Sequence, residues 1–488
     1  MKTNTRLFRD RIGLAAGIVL FIFVQLANPF KVDQTAVNVL SVAALMITWW
    51  VTEALPMPVV ALIPLVLLPL MQVSSLKEVA SGYADSNIYL FMGGFMLGLA
   101  IEKWGLHKRI ALGIVNLTGT SGNRIVLGFI LATGFLSMWL SNTATTMMMF
   151  PIAASVIQVV KENHKGNARL DYLALSIMLA IAYASNFGGI ATVIGTPPNV
   201  AFRGIIEDKY GYTIQFFDWM IICAPIAFLL LISLYFVMTR MLYPNKLAAE
   251  PGTRMMIRQE LKNLGPMSRQ EKRVLIIFIG TALLWIFKDV LNLIPFVQLE
   301  DTIIAIIGAM ALFICPAGGQ GSSEGKKLLE WGDTSKMAWG ILILFGGGIA
   351  LASALQKAGL VQLLGNWIAG FSSGGFILVF VITLVSLFVS EVMSNIAQVI
   401  VFTPVIAGIA DAIGVSPILL GLPMCLGASC ASMMPMGTPP NAIVFASGHI
   451  KFGQMMRTGF VMNIIACILI SLFCWYLVPF LMAYTNVK

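Results

Sequence analysis

Two pairs of short motifs decide the fold of this chain. Ser-Asn-Thr at 141–143 is followed by Gly-Thr-Pro-Pro-Asn at 195–199, and Ser-Asn-Ile at 394–396 is followed by Gly-Thr-Pro-Pro-Asn at 437–441. Each pair puts small polar residues and a Pro/Gly break inside a long apolar stretch, where lipid offers no partner for freed backbone groups. Because the pairs occur in the same order, one in each half of the chain, they predict an internal repeat around a central binding site.

The composition identifies the class of protein. Of the 488 residues, 58% are hydrophobic and 11% are charged, so the charged share is about half that of a soluble domain. Many apolar runs reach the roughly 20 residues that cross a bilayer. We therefore expect an all-α polytopic membrane protein with about 11 transmembrane helices and two re-entrant hairpins. The net charge of +9 does not indicate nucleic-acid binding, because the basic residues lie in short loops, where they set membrane orientation.

The positions of the basic residues predict the orientation. A cluster of them precedes the first apolar run, which we expect to be a retained membrane span, and places the N-terminus in the cytoplasm. These residues are Lys2, Arg6, Arg9 and Arg11. The longest polar stretch, 245–272, is also basic, and we expect it to be a cytoplasmic linker between a first half at 1–244 and a second half at 273–488.

The same charges define two hairpins. The apolar stretch 124–160 has basic residues at both ends, so it should enter and leave the membrane from the cytoplasm, with a turn at 141–143. The stretch 374–411 lies in a segment that has no Lys or Arg between Lys357 and Lys451, so it should enter and leave from the outer side. Two opposed hairpins are what an inverted repeat requires.

The polar clusters have the chemistry of cation and anion sites. An unwound hairpin tip frees carbonyl oxygens that can ligate a dehydrated Na⁺, while nearby helix N-termini offer N–H groups and a positive dipole end to a carboxylate. Ser137 and Ser390 stand four residues before Ser141 and Ser394, on the same face of each incoming helix. This repeated hydroxyl favours two related cation sites over the alternative that Ser and Asn only join helices.

These motifs together resemble a known family, the divalent anion/sodium symporters. The resemblance covers nearly the whole chain and includes Trp-Trp-Val-Thr-Glu-Ala-Leu-Pro at 49–56 and Leu-Phe-Gly-Gly-Gly at 344–348. It implies a homodimer in the cell (inner) membrane, each protomer with two inverted repeats, a scaffold domain and a moving transport domain. It also implies Na⁺-driven import of C4-dicarboxylates such as succinate, or of related di- and tricarboxylates, by an elevator motion.

The resemblance further implies which residues bind two Na⁺ ions and the anion. The first Na⁺ maps onto Ser137, Ser141, Asn142 and Gly195. The second maps onto Ser390, Met393, Asn395 and Gly437, several of them through backbone carbonyls. The anion maps onto Asn142, Thr143, Thr196 and Pro197 from the first half and onto Asn395, Ile396, Thr438 and Pro439 from the second.

One position departs from the family pattern. Where the second motif usually reads Ser-Asn-Thr, this chain has Ile396, which removes a hydroxyl from the half-site and adds methyl groups. Another divalent anion, such as sulfate, is therefore an alternative substrate. Some relatives are sodium-independent exchangers that carry basic side chains where Na⁺ would bind. The corresponding positions here are Ser, Asn, Gly and Met, which favours coupling to Na⁺.

Other classes of function have weaker support. The chain has no Gly-x-x-x-x-Gly-Lys-Ser/Thr motif, and paired broken helices fit alternating access better than a channel. It also has no His/Glu metal signature and no nucleophile–base pair, so we expect no enzyme and no catalytic residues. Glu53 and Glu391 are carboxylates within apolar stretches and are functional candidates on that ground. We expect them to fix helix contacts rather than to carry protons.

Overall fold

A computed structural model describes most of the chain as a bundle of helices. The described residues are 2–29, 31–163, 169–211, 214–245, 247, 251–318, 326–360, 363 and 375–482. Within them, nine helices are long and apolar enough to cross a membrane, and six shorter apolar helices accompany these. The predicted fold class is confirmed: the protein is an all-helical polytopic membrane protein. Some predicted boundaries lie outside the described residues, among them 248–250 in the linker and 374 at the start of the second hairpin.

The helices of the first half follow the apolar runs. They are α1 (Lys2–Ala27), α2 (Gln34–Thr52), α3 (Met57–Val60), α4 (Ile63–Leu70), α5 (Leu76–Ser81), α6 (Ser86–Lys103), α7 (Leu106–Thr118), α8 (Gly122–Ser137), α9 (Asn142–Asn163), α10 (Arg169–Gly189), α11 (Pro197–Tyr210) and α12 (Phe216–Phe236). Helices α3 and α4 each carry a proline in the first turn, where its missing N–H has no helical partner to lose.

The second half continues the bundle. Its helices are α13 (Pro251–Asn263), α14 (Arg269–Leu291), α15 (Asp301–Ile314), α16 (Trp339–Lys357), α17 (Phe376–Val389), α18 (Asn395–Ile413), α19 (Pro417–Ser429), α20 (Pro439–Phe445), α21 (Phe452–Tyr476) and α22 (Val478–Met482). Helix α8 packs on α10, and α17 packs on α19. Helix α10 also contacts α20, so the interrupted helices of the two halves lie side by side.

The first hairpin turns slightly earlier than the sequence predicts. Helix α8 ends at Ser137 and α9 begins at Asn142, so Asn142 and Thr143 lie in the first turn of a helix and not in the turn predicted at 141–143. The physical reason is a helix cap, since Ser141 Oγ accepts a hydrogen bond from the Ala144 amide at 3.2 Å. A capping serine satisfies a first-turn N–H and starts the helix directly after itself.

Two long apolar stretches are interrupted where the sequence has its Pro/Gly breaks. Residues 190–196 separate α10 from α11, and residues 430–438 separate α19 from α20. Each second helix begins with a proline, directly after a threonine whose backbone is extended. The Thr-Pro-Pro-Asn motif therefore restarts a helix, as the missing N–H of proline allows.

Helices α7 and α13 are not among the candidate membrane spans. Helix α13 falls within the polar linker predicted at 245–272, and α7 follows α6 after a short turn. The Arg109 guanidinium of α7 donates to the Glu271 carboxylate at 2.9 Å and to the carbonyl oxygens of Leu264 and Gly265. These contacts bind α7 to the first turn of α14 and to the segment before it. A hydropathy pattern does not indicate them, because both helices are too polar or too short to span a membrane.

A buried charged network joins α11 to α14 and α15. Arg203 Nε lies 2.9 Å from Glu207 Oε1, and its terminal nitrogen lies 3.2 Å from Asp301 Oδ2. Lys288 Nζ lies 2.8 Å from Asp301 Oδ1. Asp301 also accepts a hydrogen bond from the Phe216 amide at 2.7 Å, which adds the start of α12 to the network. Arg203, Asp301 and Lys288 are all buried. Because water does not solvate these charges, each is stabilised by its ion-pair partners.

We predict that this network contributes strongly to stability. Arg203→Met leaves the Asp301 and Glu207 carboxylates with one fewer buried partner, and breaking a buried pair costs about 3–5 kcal/mol. The melting temperature of the purified protein in detergent should therefore fall clearly. Glu78→Gln is the matched control, because the Lys357–Glu78 pair is about half exposed on both sides. Equal melting temperatures for the two variants would show that the network does not stabilise the fold.

Candidate functional site

A cavity of about 1160 Å³ lies where the hairpin turns and the interrupted helices meet. Ligand pockets usually enclose about 300–1,000 Å³, so the cavity has room for a small dianion and water. Most predicted site residues line it: Ser141, Asn142, Thr143, Thr196, Pro197, Met393, Asn395, Ile396, Gly437, Thr438 and Pro439. The sequence motifs of both halves therefore contribute to one site.

The other wall of the cavity comes from different helices. Trp50 and Thr52 of α2, Gly94 and Gly98 of α6 and the segment around Lys336 line it. The cavity also reaches Ile12 and Gly13 of α1. The hairpin turns and the helix interruptions therefore face a surface formed by α1, α2, α6 and the segment that leads into α16. The predicted site lies between these two groups of helices.

Three predicted residues lie behind the cavity wall. Ser137, Gly195 and Ser390 are buried and do not line the cavity. Ser137 Oγ lies 2.6 Å from Asn142 Oδ1 and 2.8 Å from the Ser185 carbonyl oxygen. Its role in this geometry is to hold the side chain of Asn142 from behind.

The second half repeats this hydrogen-bond arrangement. Ser390 Oγ lies 2.6 Å from Asn395 Oδ1 and is also within hydrogen-bond distance of the carbonyl oxygen of Ala428. In both halves a buried serine at the end of the incoming helix therefore contacts the hairpin asparagine and a carbonyl near the end of the neighbouring interrupted helix. Ser137 and Ser390, which stand four residues before Ser141 and Ser394, therefore make equivalent contacts.

Backbone oxygens converge behind the first hairpin. A β-carbon on Gly195 would lie 2.5 Å from the Gly189 carbonyl oxygen and 3.0 Å from that of Ser137, and one on Gly189 would lie 2.3 Å from Asn142 Oδ1. Glycine is required for this close approach. Asn199 Nδ2 donates to the carbonyl oxygens of Gly189 at 3.2 Å and Thr192 at 2.8 Å, which fixes the unwound segment. Such a group of oxygens has the chemistry to ligate a hard monovalent cation.

The second half fixes its unwound segment with a carboxylate. Glu391 Oε1 accepts hydrogen bonds from the amides of Ser432 and Met433, both at 2.8 Å, and from Asn463 Nδ2 at 2.6 Å. Its Oε2 accepts from the Met434 amide at 2.9 Å. The expected role of Glu391 in fixing helix contacts agrees with these four bonds.

This carboxylate makes the two half-sites electrostatically different. A β-carbon on Gly437 would lie 2.9 Å from Glu391 Oε2, so the carboxylate adjoins a predicted cation ligand. The position that matches Glu391 in the first hairpin, directly after Ser137, is Met138. The second half-site therefore carries a buried negative charge that the first one lacks, and this charge favours a cation there.

The cavity has few basic side chains with which to bind an anion. Lys336 at its edge is the basic residue among the described lining residues, whereas Glu53 and Glu102 are acidic. Helices α9, α11 and α18 begin at the cavity. Their N-termini supply N–H groups and partial positive charge, which suit a carboxylate.

Sequence reasoning missed Asn186 of α10. Its side chain lines the cavity, and its Nδ2 lies 3.1 Å from Thr438 Oγ1 in the other half of the chain. The available signal is the polar Ser-Asn pair at 185–186, which resembles the hairpin motifs and lies shortly before the interruption at 190–196. The partner of Asn186 is 252 residues away in sequence, so no local pattern reveals the contact.

Comparison with known proteins agrees with this geometry. Residues 11–483 match the family model described as the sodium:sulfate symporter transmembrane region. The chain is 39% identical over 477 residues to the sodium-dependent dicarboxylate transporter SdcS of Staphylococcus saprophyticus, which covers 96% of this chain and 91% of that protein. It is also 39% identical, over 475 residues, to SdcS of Staphylococcus aureus strain USA300, with the same coverage of both chains.

Solved transporter structures share the fold at low sequence identity. The crystal structure of the Alcanivorax borkumensis YdaH transporter has a TM-score of 0.57 at 15% identity and covers 83% of this chain and 87% of its own. Neisseria gonorrhoeae MtrF has a TM-score of 0.55 at 13% identity and covers 82% and 83%. The family match and the staphylococcal relatives are transporters, not enzymes. With the motifs of both halves gathered at one cavity, this chain belongs to the sodium:sulfate symporter family.

Proposed function

We propose that this protein is a Na⁺-coupled secondary transporter that imports C4-dicarboxylates such as succinate, or related di- and tricarboxylates. The observation that carries the proposal is the convergence of both hairpin turns and both Thr-Pro-Pro-Asn breaks on one cavity. Relatives that are 39% identical are named sodium-dependent dicarboxylate transporters, which supports the choice of ion and anion.

The charge balance of the cavity supports coupling to Na⁺. A dicarboxylate carries two negative charges, and the cavity offers one basic side chain at its edge among the described residues, against two acidic ones. Helix N-termini contribute only about half an elementary charge each. Two Na⁺ ions beside the anion supply the missing positive charge, so binding of the anion depends on binding of the cations.

The proposed ligands follow the geometry of the two half-sites. Asn142, Ser141 and the backbone around Gly195 belong to the first Na⁺ site, with Ser137 behind Asn142. Asn395, Met393 and the backbone of Gly437 belong to the second, with Ser390 behind. The anion contacts the side of the cavity formed by Asn142, Thr143, Thr196, Pro197, Asn395, Ile396, Thr438 and Pro439.

We infer further that the chain works as an elevator built from two inverted repeats. The motif-bearing wall of the cavity, including α9, α11 and α18, would move as the transport domain, against a scaffold that includes α2 and α6. The repeats are 1–244, with its hairpin at 124–160, and 273–488, with its hairpin at 374–411, and 245–272 links them. The protein is a homodimer in the inner membrane with its N-terminus in the cytoplasm, and the cavity then reaches the cytoplasmic end of α1.

Purified protein in liposomes should take up labelled succinate only with an inward Na⁺ gradient. Replacing Na⁺ by K⁺ should abolish the uptake, because the proposed coupling ion is then absent. Citrate and sulfate, tested as unlabelled competitors, distinguish carboxylates from other divalent anions. Strong competition by sulfate together with weak competition by succinate would contradict the proposed substrate class.

Removal of the Ser390 hydroxyl should weaken the second Na⁺ site. Ser390 holds the Asn395 side chain, so Ser390→Ala removes a buried hydrogen bond worth about 0.5–1.5 kcal/mol. We expect the half-saturating Na⁺ concentration to rise roughly threefold to tenfold, with little change in the preference among anions. Thr383→Val on the same helix is the control, because among the described residues the Thr383 hydroxyl bonds to Val379 of its own helix alone. An altered anion preference in Ser390→Ala would place Ser390 in the anion site instead.

Substitution of Ile396 should change the affinity for the anion and not the affinity for Na⁺. Its side chain lines the cavity at the position that matches Thr143 in the first hairpin. Ile396→Thr should improve dianion affinity by at most about 1.5–3 kcal/mol, the worth of one charge-assisted hydrogen bond. Thr143→Ile is the reciprocal variant and should weaken it. Matched titrations of succinate and Na⁺ measure both effects, and a change in Na⁺ dependence alone would show that Ile396 does not face the anion.

A further inference from the structure

Asn186 is a buried amide that reaches from the first half of the chain into the second half-site. It is 1% exposed, and its Nδ2 lies 3.1 Å from Thr438 Oγ1 and 3.4 Å from the Ala431 carbonyl oxygen. A carbonyl oxygen can only accept a hydrogen bond, so the NH₂ group of the amide must face Ala431. The orientation of the Asn186 side chain is thereby fixed, and the amide donates to the Thr438 hydroxyl.

The Thr438 hydroxyl also accepts a second hydrogen bond. The Asn441 amide in the first turn of α20 lies 3.4 Å from the same Thr438 Oγ1. A hydroxyl oxygen has two acceptor lone pairs and one donor hydrogen. With both lone pairs directed at Asn186 and Asn441, the hydrogen must point elsewhere. Thr438 lines the cavity, and none of its hydrogen bonds to the described residues uses the hydroxyl as a donor.

The geometry points to Asn186 as a positioning residue that makes the Thr438 hydroxyl an obligate hydrogen-bond donor to one carboxylate of the transported anion. A threonine hydroxyl otherwise rotates and can accept as well as donate. Because Asn186 and Asn441 both donate to the Thr438 oxygen, the hydroxyl cannot rotate to accept from the ligand. Its own hydrogen is then directed at the anion. The inference rests on the proposed function and adds a specificity determinant to it, because the anion must present an acceptor oxygen at this point.

Among the described residues, the first half has no equivalent of this arrangement. Thr196, which matches Thr438, makes no side-chain cap bond. The carbonyls of Ser185 and Ala428 occupy matching positions behind the two hairpins, so the residue that matches Asn186 is Ser429, one position after Ala428. The Ser429 hydroxyl bonds to the Cys425 carbonyl oxygen of its own helix at 3.3 Å. Among the described residues, a threonine hydroxyl is therefore fixed as a donor in the second half-site and not in the first.

Titrations of succinate uptake in proteoliposomes test the role of Asn186. Asn186→Ala and Thr438→Val should each raise the half-saturating succinate concentration roughly tenfold, and the half-saturating Na⁺ concentration should change less than about twofold. The double variant should be no worse than Thr438→Val, because Asn186 acts through the Thr438 hydroxyl that this variant already lacks. Thr438→Ser keeps the hydroxyl and should recover most of the affinity that Thr438→Val loses.

Asn186→Asp provides a test that preserves the shape of the side chain. An aspartate in this position accepts the Thr438 hydrogen and reverses the bond, so the anion loses its donor and meets a negative charge. The loss should exceed that of Asn186→Ala. Ser429→Ala is the matched control and should leave both titrations unchanged. Elution volume and melting temperature of each variant in detergent confirm that it is folded before uptake is compared.

The outcomes separate this inference from the proposed function. Absence of Na⁺-driven succinate uptake by the wild type contradicts the proposed function and this inference with it. If the wild type takes up succinate normally but the affinity losses of the two single variants multiply in the double variant, this inference is contradicted and the proposed function is not. The inference also fails if Asn186→Ala shifts the Na⁺ titration as much as the succinate titration, or if Ser429→Ala is as impaired as Asn186→Ala.

Discussion

A helix that is interrupted inside a membrane must satisfy its freed backbone groups within the protein, because lipid cannot bond to them. The described structure meets this requirement with a few buried side chains. Asn199 bonds to carbonyl oxygens of the first unwound segment, and Asn441 bonds to those of Ala431 and Met434 in the second. Glu391 accepts three amides of the second segment. These side chains keep the two segments unwound. The carbonyl oxygens and helix ends that remain unbonded at the cavity can therefore contact a ligand.

The two halves use the same motifs but different chemistry. In the first half, neutral groups and close-packed glycines fix the break, whereas in the second a buried carboxylate performs this task. Asn186 adds a contact from the first half to the second, and Ile396 replaces a hydroxyl with methyl groups at the second hairpin. A repeat that is regular in sequence therefore gives a site whose two sides differ in charge and in hydrogen-bonding capacity. An anion with two unequal ends can be bound in a single orientation by such a site.

The sequence predicts much of this arrangement because Gly, Pro and Ser-Asn patterns act locally. The helix restarts at Pro197 and Pro439 and the equivalent serines Ser137 and Ser390 follow from short-range stereochemistry and spacing. The first turn lies earlier than predicted, because the cap at Ser141 decides where α9 begins. Asn186 and the Arg203–Asp301 pair could not be predicted, since their partners are distant in sequence and no local periodicity brings them together.

The charged network around Arg203 has an energetic consequence. Helix α11 carries the cavity residue Pro197 at one end and Arg203 two turns later, where it is paired with Asp301 of α15. Any sliding of α11 along α14 and α15 has to separate these charges and admit water to them. Buried charges pay a desolvation cost of several kcal/mol and are poorly screened by salt. Displacing α11 against α15 would therefore carry a free-energy cost that depends little on ionic strength.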